Sequence, residues 1–292
     1  MTIAVYARPV KDNHADYIKT LSTKLSKENV KLIIFEDYYK FLKQEFKFNL
    51  EIPTYNNYKN IKGKVDFIIS LGGDGTILET LDLVRDSGIP VLGVNTGRLG
   101  FLASVYKEDF GIAIRSLLNG KFKLDKRDLI ELKNTNNLFG NLNFAVNELT
   151  VLKKDSSSMI TIDAKVNGEF LNSYWADGLI LATSTGSTAY SLSCGGPIMV
   201  PDSDNIVITP IAPHNLNVRP IVLSNSNEIS LTVKGRSPHY LVSLDSRTAQ
   251  IDSSMELIIK KADFSFNLVN LDGQHFFKTL RSKLMWGIDK RN

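Results

Sequence analysis

The chain has 292 residues, 43% hydrophobic and 23% charged, with 35 basic against 31 acidic side chains and a formal charge of +4. That composition excludes general disorder, a collagen-like rod and a coiled coil, and the length suits about two domains. So mild a basic excess makes no case for nucleic acid or a membrane surface as partner. The one cysteine, Cys194, excludes an internal disulfide and a cysteine-rich zinc site. His14, His214, His239 and His275 lie too far apart for a ligand motif. No apolar run reaches the ~18 residues of a membrane helix, and the start reads as a first strand rather than a leader, so the expected location is the cytoplasm.

In chain order, residues 3–7 form an apolar run, and Ala15, Ile18, Leu21 and Leu25 mark one face of a helix over 15–27. A second strand is expected at 31–35 and a helix at 36–46. Residues 65–70 are almost wholly apolar, as in a strand covered on both faces. Gly72-Gly73-Asp74-Gly75-Thr76 interrupts, a helix over 76–87 follows, and Gly88 ends it before a strand at 89–95. Strand, helix and strand at this spacing imply a parallel sheet. A helix at 107–118 and the charged stretch 121–128 form the crossing to a second region.

Beyond about residue 125 the pattern changes to short alternating strands. Residues 159–171 read as a hairpin about Asn167-Gly168. Strands are expected at 178–184, 205–211, 228–235, 240–245 and 255–261, and a helix at 276–286 anchored by Met285 and Trp286. Lys278, Arg281, Lys283, Lys290 and Arg291 read as a solvated face. The expected fold is an α/β N-terminal domain with a parallel sheet (1–124) and a β-rich, β-sandwich-like C-terminal domain (125–275). Residues 276–292 are expected to pack back on the first domain.

Four stretches carry chemistry. Gly72 to Thr76 sits at the carboxyl end of a buried strand and opens a helix, where open α/β sheets bind ligands. Its glycines let backbone N–H groups approach phosphate. A carboxylate there, Asp74, makes sense as a proton acceptor or as a partner of phosphate-bound metal, or else as an ordinary cap of the turn. The string lacks the GK[ST] of a P-loop, and Leu78 stands where a dinucleotide fingerprint needs glycine. Asn95 to Leu102 (NTGRLGFL) follows the next strand, and Phe101 either faces a base or seals the core. Asn147-Glu148 offers an amide and a carboxylate between apolar neighbours, suited to hydroxyls and ring nitrogens. Residues 177–197 run from a strand into a loop dense in hydroxyls and glycine. A short helix over 188–194 follows, with Ser187 or Thr188 as its cap.

In this order and spacing, GGDGT, NTGRLGF, Asn147-Glu148 and DGLILATSTGSTAYSLSCGGP closely resemble the NAD kinase family. GGDGT alone is shared with diacylglycerol and sphingosine kinases; the long string is specific. The resemblance implies the NAD kinase/diacylglycerol kinase-like fold. It also implies transfer of the γ-phosphate of ATP to the 2′-hydroxyl of the adenosine ribose of NAD, giving NADP. It implies a divalent metal ion, Mg²⁺ or Mn²⁺, ATP and NAD as the small-molecule partners, and a homodimer or homotetramer. By the same resemblance Asp74 is the general base and Gly75 a backbone contact. Asn147 and Glu148 hold the adenosine end, and Asp177 another polar part of the dinucleotide. Thr185, Thr188, Ala189, Tyr190, Ser191, Leu192 and Ser193 line the NAD pocket, and Ala212 and Arg247 touch the ligand. Cys194, Trp175, Glu79 and Asp245-Ser246-Arg247 depart from the family pattern. These departures bear on NAD against NADH and on the phosphoryl donor. The competing readings are a lipid kinase, disfavoured by the polar 183–193 loop, and a catalytically inert nucleotide sensor.

Overall fold

The computed structural model describes all residues except 10–14, 98–99, 104, 134–137, 155–157, 274 and 288–292. His14, Arg98, Leu99, Lys290 and Arg291 therefore lie outside the described residues. The chain divides into two compact units, one made of Met1–Lys126 with the segment from Phe266 onward, the other Arg127–Ser265.

The first unit contains β1 (Thr2–Ala7), α1 (Ala15–Lys27), β2 (Lys31–Phe35), α2 (Glu36–Phe46), β3 (Thr54–Tyr55), α3 (Tyr58–Ile61) and β4 (Phe67–Leu71). It continues through α4 (Asp74–Val84), β5 (Val91–Asn95), β6 (Val105–Tyr106), α5 (Phe110–Leu118) and the start of β7 (Phe122–Leu132). Its strands run in the order β5-β4-β1-β2-β3, all parallel, with Val5 opposite Ile34 on one side and Ile69 on the other. Both faces are covered, which is why β5 is buried at every position and β4 at four of five. The α1 stripe of Ala15, Ile18, Leu21 and Leu25 is fully in the core, joined by Tyr38 and Leu42 of α2. The helix expected at 76–87 starts two residues earlier, at Asp74, and ends in a 3₁₀ turn at Arg85–Ser87. Gly88, at φ 72°, closes that turn.

The second unit holds the rest of β7, then β8 (Phe144–Ala145), β9 (Glu148–Lys153), β10 (Ile160–Val166), β11 (Glu169–Ala176), β12 (Gly178–Thr183) and α6 (Tyr190–Ser193). After these come β13 (Asn205–Ile211), β14 (Ile221–Ser224), β15 (Ile229–Lys234), β16 (His239–Leu244), β17 (Arg247–Asp252) and the first part of β18 (Glu256–Leu271). One layer is ordered β11-β10-β15-β18 and the other β14-β13-β12-β9-β16-β17, antiparallel throughout. Ile162, Leu231 and Leu257 from the first layer meet Leu181, Ile208 and Val242 from the second in one apolar core. This is a sandwich with inward residues alternating along each strand. Strand β12 is buried at all six positions because its other face, Ile180 and Ala182, packs on Met199 and Val207. The β10–β11 hairpin turns at Asn167 (φ 51°) and Gly168 (φ 84°), as the pair predicts.

Further details differ from the sequence reading. The strand expected at 255–261 runs on to Leu271, and its far end, Leu268, pairs in parallel with Val91 of the first unit. The last helix, α7 (Phe276–Leu284), is shorter than expected, and Met285 and Trp286 are exposed. They do not anchor α7; Leu280 is its buried residue and Phe276 packs against Phe101. The helix expected at 188–194 is a 3₁₀ turn at Gly186–Thr188 followed by α6, and neither Ser187 nor Thr188 caps it. Both hydroxyls instead bond within the loop, Ser187 Oγ to the Ser184 carbonyl (2.7 Å) and Thr188 Oγ1 to the Thr185 carbonyl (3.2 Å).

Candidate active site

Each unit carries a cluster of the residues singled out by sequence. In the first, β4 ends at Leu71, Gly72-Gly73 turns the chain, and Asp74 begins α4. A carboxylate in a first helical turn suits the helix dipole. Here it is also held from outside the helix. Phe101 N–H donates to Oδ2 (2.6 Å), while Leu102 and Ala103 N–H both donate to Oδ1 (3.0 and 2.9 Å). An ionised carboxylate has about four acceptor positions, so three donors leave one open, on Oδ2. The NTGRLGFL stretch thus serves as a backbone clamp on Asp74. Gly100 makes the approach feasible, since a Cβ there would stand 1.7 Å from Oδ1. Asn95, buried at the end of β5, steadies the start of the same loop by accepting from Gly97 N–H (2.7 Å). Of the two roles open to Phe101, the ring takes the packing one, against Phe276 (centroids 6.2 Å apart).

Gly75 is exposed, and its carbonyl lies 3.5 Å from Arg8 Nη2. Glu79, one turn on, is not a bare negative charge. Arg8 contacts both its oxygens (Nε to Oε2 2.6 Å, Nη2 to Oε1 2.5 Å), and the Tyr6 hydroxyl donates to Oε2 (2.9 Å).

In the second unit Asn147 leads into β9, and Glu148 is its first residue. The 183–188 loop is fastened to this corner. Thr183 N–H donates to the Asn147 carbonyl (2.8 Å), and Thr183 Oγ1 to the Val146 carbonyl (2.5 Å). Gly186 lies so close that a Cβ on it would meet the Asn147 carbonyl oxygen at 2.0 Å. Thr185 is buried, with Arg127 Nη1 on its hydroxyl (3.3 Å), and Ser191 is buried against Thr209 Oγ1 (2.8 Å). Thr188 and Leu192 are half-buried, Ser193 is exposed, and Ala189 is the residue from which α6 starts. Tyr190 is 40% exposed, an aromatic face available for stacking. Cys194 is half-buried, and burial pushes its thiol up, away from the thiolate.

Four other residues sit as follows. Asp177 forms an ion pair with Lys153 (2.5 Å). Ala212 is exposed in a left-handed conformation, φ 44°. Arg247 donates to the carbonyls of Leu142 (2.5 Å) and Phe144. Trp175 packs against His214 with ring centroids 4.3 Å apart and the planes tilted by 50°. What the sequence reading lacked is the support: the amides of 101–103, and the hold of Asp245 on the backbone of 146–148. Gly100 and Asp245 were visible, one as a second glycine in a short loop and the other as part of a departure from the family pattern.

The electrostatics of the Asn147 corner are unusual. Glu148 Oε2 is buried without a hydrogen-bond partner. Burial, then the charge of Asp245, pushes the Glu148 carboxyl up to about 8, opposed only by the Tyr190 backbone. Burial also raises Asp245, but the N–H groups of Val146, Asn147 and Glu148 and the Arg247 charge pull it back. The proton of the pair therefore resides on Glu148 at neutral pH, which makes it a hydrogen-bond donor.

The sequence profile for the ATP-NAD kinase N-terminal domain matches residues 6–122, and that for the ATP-NAD kinase C-terminal domain matches residues 146–271. The chain belongs to the NAD kinase family. An NAD kinase of Cytophaga hutchinsonii is 47% identical over all of both chains, and one of Flavobacterium psychrophilum 46%. Among solved structures, yeast NADH kinase complexed with NADH superposes with a TM-score of 0.85 at 25% identity, covering 98% of this chain and 88% of the yeast chain. An NAD kinase from Archaeoglobus fulgidus in complex with ATP gives 0.75 at 25% identity, covering 98% and 99%. The α/β and β-rich architecture is that of NAD kinases. Among the described residues, no helix is long and apolar enough to cross a membrane.

Two outcomes follow for this family member. Gly100→Ala should dislodge the Asp74 carboxylate, read as faster hydrogen exchange of the Phe101, Leu102 and Ala103 amides. Glu148 holds a proton when folded that the unfolded chain releases between its ordinary value near 4.5 and about 8. Wild-type stability should therefore fall as pH rises through that window. Glu148→Gln, with nothing to ionise, should show a smaller drop in Tm between the two ends of the window.

Proposed function

We propose that this protein transfers the γ-phosphate of ATP to the 2′-hydroxyl of the adenosine ribose of NAD, giving NADP and ADP, with Asp74 as general base. The observation that carries the reading is the clamped carboxylate. A ribose hydroxyl is a weak nucleophile, and catalysis consists of placing it in line with the phosphorus and taking its proton. Three amides hold Asp74 in one orientation and leave one acceptor position on Oδ2. That position accepts the hydroxyl hydrogen bond and then the proton as the new P–O bond forms and the bond to ADP breaks. The amides at the start of α4 and Gly75 supply donors to phosphate oxygens.

On the other substrate, Asn147 and protonated Glu148 offer donors and an acceptor to the adenosine end. Tyr190 offers a stacking face, and Asp177 with the hydroxyls of 185–193 completes the polar lining, with Ala212 and Arg247 as further contacts. The protein is read as a homo-oligomer of the cytoplasm.

The metal reading fits a cation that arrives on the phosphates. Among the described residues no group of three or more His, Cys, Asp or Glu could hold an ion. Mg²⁺ commonly binds through substrate phosphates with one or two carboxylates, so Asp74 is the protein group that would reach it. When bound, Mg²⁺ or Mn²⁺ neutralises charge on the transferring phosphoryl group.

The decisive assay follows NADP formation with NAD and NADH as separate acceptors and ATP and polyphosphate as separate donors. Label passing to lipid instead, or dinucleotide binding without phosphorylation in either metal, would reverse the assignment. Asp74→Asn should keep its fold by circular dichroism and lose about 10²–10⁴-fold in turnover, the usual range for a general base. Full activity of the purified variant would remove Asp74 as proton acceptor.

A further inference from the structure

The β16–β17 hairpin turns at Asp245, which adopts a left-handed conformation, φ 50°. An aspartate in a turn ordinarily bonds its own backbone two residues on. Asp245 instead reaches across to a segment nearly a hundred residues earlier. Its Oδ2 accepts from Val146 N–H (2.9 Å), and its Oδ1 from Asn147 (2.8 Å) and Glu148 (3.2 Å). Its own N–H donates to the Glu148 carbonyl (3.0 Å). With Thr183 on the other two carbonyls, every backbone group of residues 146–148 is bonded, and all three donors end on one carboxylate. Two residues on, Arg247 fixes the carbonyls of Leu142 and Phe144.

Closing a hairpin does not require this. The same chain closes its β10–β11 hairpin with Asn167-Gly168 and buries no charge in doing so. Burying a carboxylate beside a second one, Glu148, costs stability that a turn alone would not demand. The expense falls on the two residues whose side chains meet the ligand in the reading above.

We infer that Asp245 is a positioning residue for the dinucleotide. It acts through the backbone of Asn147 and Glu148 and sets their side chains before NAD arrives. The inference rests on the reading that this pair binds NAD, and it assigns Asp245 no contact with the ligand. Preorganisation of this kind lowers the ordering cost of binding and leaves the other substrate untouched.

The test is Asp245→Asn, which tolerates the left-handed backbone but turns an amide group toward one of the three N–H donors. NADP formation is measured with each substrate varied, beside Asn147→Ala, Glu148→Gln and the double variant Asp245→Asn/Asn147→Ala. The expected result is a KM for NAD raised at least tenfold and a KM for ATP within twofold of wild type. The double variant should lose less than the two single losses combined, because both changes break one unit. An unchanged KM for NAD with a lowered Tm, equal losses for both substrates, or additive losses in the double variant would each overturn the inference. Hydrogen exchange of the wild-type protein tests it without any variant. The amides of 146–148 should be protected before NAD is added; protection that appears only with NAD overturns it. Failure of the underlying reading is distinct: Asn147→Ala would then bind NAD normally.

Discussion

Three backbone N–H groups on one carboxylate are the constraint from which the first unit's chemistry follows. Asp74 stands at the mouth of a helix beside glycines, where a free side chain would swing among rotamers. The amides of Phe101, Leu102 and Ala103 stop this. They come from the loop after β5, the strand directly beside β4 in the parallel sheet. The β4-turn-α4 segment supplies the acid, and the neighbouring loop supplies its orientation. Gly100 is part of that arrangement because no larger residue fits against the carboxylate.

The second unit solves the converse problem. There the backbone that carries Asn147 and Glu148 is held, and a buried carboxylate does the holding. The two devices use the same bond, backbone N–H to carboxylate, with the roles of working group and support exchanged. The second device has an electrostatic consequence absent from the first. Two acidic groups share one corner; Asp245 accepts three N–H groups, while burial and the Asp245 charge hold the Glu148 carboxyl up to about 8. In this chain Asn147-Glu148 therefore presents, near neutral pH, two hydrogen-bond donors rather than a donor and an anion.

Much of this was legible in the sequence because it is local. The α1 stripe, the all-apolar β4, the Asn167-Gly168 turn and the GGDGT break each follow from spacing within a dozen residues. The long 177–197 string placed the family by resemblance alone. The supports were not legible, because each joins segments far apart in sequence through atoms that every residue has. An amide at Leu102 looks like any other amide until the fold brings Asp74 to it. The misplaced anchors Met285 and Trp286 have a related cause. Large apolar side chains at a helix end predict burial only if a surface lies opposite, and here the helix rests on Leu280 and Phe276 instead. The loop hydroxyls at Ser187 and Thr188 failed as caps because their own loop carbonyls offered nearer partners.

The far end of β18 has a bearing on how the protein is made. Leu268 hydrogen-bonds alongside Val91, yet more than half the chain separates them. At the ~5–20 residues per second of translation, the edge of β5 emerges from the ribosome on the order of ten seconds before its neighbour exists. During that interval β6 covers only the Val94–Asn95 end of that edge, and the Val91 end stands unpaired, the kind of surface that recruits chaperones or other nascent chains. The enzyme's first unit is begun first and finished last.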